Sequence, residues 1–91
     1  MAEGEEKIIK TLLESGADVN AKDECGDTPL LVAIMNEEEE NMMTFIEAGA
    51  NIDEANNKGE TPLFKAVECN SLGCVRILLE KGANPNTVTA E

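Results

Sequence analysis

The sequence predicts an all-α solenoid of helix–loop–helix units joined by hairpin-like fingers with short turns, and three observations predict it. Gly16-Ala17-Asp18 returns as Gly49-Ala50-Asn51 and again as Gly82-Ala83-Asn84, at offsets of 49−16 = 33 and 82−49 = 33. Thr28-Pro29-Leu30 returns as Thr61-Pro62-Leu63 at the same offset. Apolar pairs keep the same register, Leu12-Leu13, Phe45-Ile46 and Leu78-Leu79. A fixed period of this length means stacked units, each packing on its neighbours, and not one globular core.

Each element follows from local chemistry. Thr28 and Thr61 can cap an orphan helix N–H, and the proline that follows each fits a first helical turn. Leu30, Leu31, Ala33 and Ile34 then recur at helical spacing, in a short helix that ends near Asn36. A second helix is predicted from about Glu39 to Ala48, with Met42, Phe45 and Ile46 on one face. The same face is Ile8, Ile9, Leu12 and Leu13 in the first unit, and Cys74, Val75, Leu78 and Leu79 in the last. Gly16, Gly49 and Gly82 stand where a left-handed C-cap favours glycine. The polar stretches that follow, with Gly26 and Gly59 at equivalent points, read as extended segments closed by tight turns.

This helix, loop, helix and finger pattern resembles the ankyrin repeat family, on the Thr-Pro-Leu starts, the Gly-Ala-(Asp/Asn) ends and the apolar pairs before them. The resemblance covers nearly the whole chain as a single array. Residues 1–22 form a half repeat without a first helix, 23–55 a repeat and 56–91 a repeat. About three repeats are usually needed for stability. Either the chain is a piece of a longer array, which is the expectation, or its ends are unusually tolerant. Glu3, Glu5, Glu6, Lys7 and Lys10 would give the first helix a polar outer face.

Three departures from the family carry expectations. The family's histidine after Thr-Pro-Leu is Leu31 and Phe64 here, and the chain has no histidine, so polar ties between repeats should loosen. The loop between helices favours positive φ, which suits Gly4 and Asn70 but strains Glu37. Asn41 stands where the other units have Ile8 and Cys74, so it should bond to a loop or lie partly exposed.

Composition narrows the function classes. Net charge is −12, from 19 acidic and 7 basic side chains. Such a chain is repelled by nucleic-acid phosphates and by anionic membrane surfaces, and it favours a basic partner if charge steers binding. Acid also simply keeps an array soluble. No stretch approaches a membrane span, and the acidic start is not a secretory signal. Three cysteines without such a signal point to reduced thiols in the cytoplasm or nucleus.

Catalysis lacks parts. Without histidine there is no Ser-His or Cys-His pair and no ordinary zinc site, and no phosphate-binding glycine loop is present. No cofactor is expected. The run Glu37-Glu38-Glu39-Glu40 reads as a solvated helix start, since consecutive carboxylates spread around a helix and acid suits its N-terminus. Cys74 reads as a core residue, and Cys25, beside Glu24 and Asp27, as the most exposed thiol with no cation to activate it.

The resemblance implies a non-catalytic protein-binding module, expected as a monomer. Its partner would meet the finger tips and the concave face of the first helices. The family's variable positions fall on Glu24, Cys25, Asp27, Met35 and Asn36, and on Asn57, Lys58, Glu60, Glu68 and Cys69. Such a surface suits a protein partner with Lys or Arg around an apolar spot near Met35. The alternative is a structural spacer or a regulatory segment of a longer ankyrin-repeat protein. The stretch around Asn20 is also similar to sequences that animal asparaginyl hydroxylases modify, although Asn20 reads more plainly as a turn residue.

Overall fold

Four short helices and one 3-10 turn make up the computed structural model, which describes residue 11 and residues 14–87. They are α1 (Pro29–Met35), α2 (Glu39–Glu47), α3 (Pro62–Glu68), α4 (Leu72–Glu80) and the 3-10 turn Pro85–Thr87. Thr11 and Glu14 are also helical. No strand is present among the described residues. The first-unit positions Gly4, Ile8, Ile9, Leu12 and Leu13, and the proposed polar cap, lie outside them.

The starts form as the sequence predicts. Thr28 Oγ1 accepts from the Leu31 N–H at 3.3 Å, and Thr61 Oγ1 from the Phe64 N–H at 3.2 Å. Proline at the next position has no N–H to leave orphaned. All four helices end in the same way. The residue after the cap has positive φ: Glu37 at 56°, Gly49 at 102°, Asn70 at 57° and Gly82 at 97°. The next N–H reaches back five residues, from Glu38 to Ala33, Ala50 to Phe45, Ser71 to Ala66 and Ala83 to Leu78. This is the Schellman arrangement, which satisfies the last carbonyls.

Glu37 is therefore strained, as expected, because a side chain in the left-handed region costs roughly 1–2 kcal/mol. Replacing it with glycine relieves that cost, while the freer unfolded chain takes back about 0.5–1 kcal/mol. Glu37→Gly is expected to raise the melting temperature by a few degrees, and Glu37→Asn to act in the same direction. A melt of either variant at or below the parent temperature would remove the strain argument.

The helices pack as two hairpins, α1 on α2 and α3 on α4, with α3 stacked on α1 and α4 on α2. The core joins Leu30, Ala33, Ile34 and Met42 to Leu63, Ala66, Cys74, Leu78 and Ala83. Phe45, Ile46 and Val75 pack on its edge. One member of the expected stripe is not covered: Leu79 is 46 % exposed. Its counterpart Ile46 is half-buried because α4 stacks on α2, and no described residue stacks on α4 in turn. Asn41 is buried and not partly exposed; its Nδ2 donates to Glu38 Oε1, in the loop before α2, at 3.2 Å.

The fingers correct the expectation of loosened polar ties. Each turn is built by one short side chain. Asp23 Oδ1 accepts from the N–H groups of Cys25 and Asp27, and Asn56 Oδ1 from those of Lys58 and Glu60. Gly26 and Gly59 close these turns at φ 80° and 78°. Further Asn and Asp side chains then bond from repeat to repeat. Asn20 Oδ1 accepts from the Asn51 N–H at 2.7 Å, and Asp53 Oδ1 from the Asn84 N–H at 3.1 Å, the same bond one repeat on. Asn56 Nδ2 donates to Asp27 Oδ1 at 3.0 Å. Short amide and carboxylate groups in the fingers thus tie the repeats together without histidine.

Candidate functional site

Eight of the ten candidate positions fall into two groups, one at each end of the first helices. Glu24, Cys25, Asn57 and Lys58 form two adjacent finger tips, all exposed. The tips are joined side by side, with the Asn57 N–H donating to the Cys25 carbonyl at 3.0 Å and Asn57 Nδ2 to the Glu24 carbonyl at 3.0 Å. Met35 and Asn36 lie at the C-terminal end of α1, and Glu68 and Cys69 at the corresponding end of α3. A seven-residue helix is about 10 Å long, so the two groups bound a strip of that height along α1 and α3.

Asp27 and Glu60 lie within this strip but already serve the fold. Asp27 accepts from Asn56, as described above. Glu60 Oε1 accepts from Asn56 Nδ2 at 2.9 Å and lies 3.4 Å from Lys65 Nζ. Lys65, absent from the sequence reading, spans the middle of the strip and also holds Glu68 Oε1 at 2.8 Å. Its spacing of three residues before Glu68 on one helix was a usable signal. A second unforeseen pair is Lys22 with Glu54, which also brings the lysine to the Ala55 carbonyl.

These contacts set the local acidity. The Asn56 amide that bonds Glu60, helped by Lys65, holds its carboxyl below the ordinary value. Lys22 does the same for Glu54. The Glu68 carboxylate raises Lys65, which stays charged well past neutral pH. A carboxyl with a depressed folded value contributes stability above its unfolded value, near 4.3 for glutamate, and loses it as pH falls through the folded value. Acid melts are therefore expected to show falling stability below about pH 4. Relief of the −12 self-repulsion as carboxylates protonate works in the opposite direction. Glu60→Gln should flatten the acid limb; an unchanged limb would mean that these contacts do not couple to folding.

The thiols divide as expected. Cys25 is exposed, Cys69 intermediate and Cys74 buried. Burial pushes the Cys74 thiol up, against what a nucleophile requires. Glu37 to Glu40 do not converge on a point. Among the described residues, Asp23, Cys25 and Asp27 bring ligand-type atoms within 4.8 Å of one another, but Asp23 Oδ1 is committed to the turn. Asn20 likewise serves as a bridge between repeats, with Nδ2 reaching the Gly49 carbonyl at 3.4 Å. No helix among the described residues is long and apolar enough to cross a membrane.

An apolar groove adjoins the first finger. It has a volume of about 400 Å³ and is lined by Ala21, Lys22, Asp23, Asp27, Pro29, Val32 and Phe45. Val32 is 38 % exposed there. The sequence reading did not single out Val32 or Phe45 as surface.

Comparison with known proteins agrees with this architecture. Residues 1–89 match the family model for ankyrin repeats (3 copies). A mouse protein, fibronectin type 3 and ankyrin repeat domains 1 protein, is 54 % identical over 33 residues. That stretch is 36 % of this chain and 10 % of the mouse protein, and is as long as one repeat period.

Proposed function

The chain belongs to the ankyrin repeat family, and we propose that it is a non-catalytic module that binds a protein partner through its finger tips and the exposed strip of α1 and α3. Ankyrin repeats are generally protein–protein interaction modules. The observation that carries the reading is the junction of the two finger tips. Asn57 bonds the backbone of the first finger, and Glu24, Cys25 and Lys58 remain exposed around it. A fixed platform with free side chains suits recognition, because little ordering cost remains to be met on binding.

The chemistry favours a basic partner. Glu24 and Glu68 are exposed at the two ends of the strip, Met35 offers an apolar spot, and net charge is −12. The same charge disfavours nucleic acid and anionic membranes. The three free cysteines suit a reducing compartment, cytoplasm or nucleus, and the module acts as a monomer.

The test reverses charge at the two exposed ends of the strip. Glu24→Lys with Glu68→Lys spares Asp27, which bonds to the next repeat, and breaks only the surface pair of Glu68 with Lys65, worth about 0–1 kcal/mol. The double variant is expected to melt within a few degrees of the parent and to lose the partners that the parent retains in affinity capture. An unchanged partner set would overturn the acidic-strip reading. A spacer or regulatory role in a longer protein is the second reading. It is favoured by the mouse relative, of which the matching stretch is only 10 %.

A further inference from the structure

We draw no further inference here: the strongest candidate, the apolar surface patch of α3 and α4 that exposes Val67, Leu72 and Leu79, is an unpartnered face, and nothing in the structure shows what covers it.

Discussion

Leu78→Ala is expected to cost roughly 2–5 kcal/mol, the range for a buried leucine cut back to alanine. Leu78 has no exposed surface and lies in the cluster that joins both hairpins, with Ile34 and Met42 from the first and Leu63, Ala66 and Cys74 from the second. Its carbonyl also accepts the Ala83 N–H that closes α4. The cavity would thus open at the seam between repeats, where few other layers share the load. Domains of this size hold about 5–15 kcal/mol in total, so the loss is a large fraction of the whole. Thermal melts by circular dichroism should show a fall of at least about 8 °C, or no cooperative transition. Leu79→Ala is the control, since that residue is 46 % exposed and its loss should be smaller. Equal effects at 78 and 79 would contradict the face assignment of α4.

Gly26→Ala is expected to cost about 2 kcal/mol or more, for two separable reasons. Its φ of 80° lies in the left-handed region, where a Cβ costs roughly 1–2 kcal/mol. The added carbon would also stand 2.7 Å from the Asn57 backbone nitrogen and meet the Asn57 side-chain oxygen. That nitrogen donates to the Cys25 carbonyl, so its retreat would part the two finger tips. Gly16→Ala isolates the first reason, because it shares the positive φ, at 103°, and meets nothing within 4 Å. Gly26→Ala should lower the melting temperature more than Gly16→Ala and weaken capture of a finger-tip partner. Equal losses from the two substitutions would show that the contact with Asn57 is unimportant.

Much of the architecture was legible because it rests on local rules repeated in register. Thr28-Pro29 and Thr61-Pro62 had to start helices, and Gly49 and Gly82 had to end them, whatever packed around them. Glu37 was legible as strain because its repeat partner is Asn70, a residue that tolerates the conformation. What the sequence concealed was contact across repeats. Nothing local distinguishes Asn20, which bridges to Asn51, from an ordinary turn asparagine. Asp27 and Glu60 looked like free acids because Asn56, their shared partner, is near Glu60 in sequence but 29 residues from Asp27. Lys65 was overlooked because a lysine on a short helix reads as solvated until the acids on both sides are placed. Phe45 was placed on one apolar face with Met42 and Ile46, and a stripe alone does not separate the buried Met42 from the half-buried Phe45.

The bond from Asn20 to Asn51, repeated from Asp53 to Asn84, acts as a ruler. Each joins residues 31 apart, and Asn86 stands 33 after Asp53, at the position that starts the next bond. An insertion of one whole period would keep every such bond in register, whereas one of any other length between the fingers would mispair the bond that spans it. The chain therefore tolerates growth in steps of one period and resists slippage within it, so that duplication is the change in length its own hydrogen bonds permit.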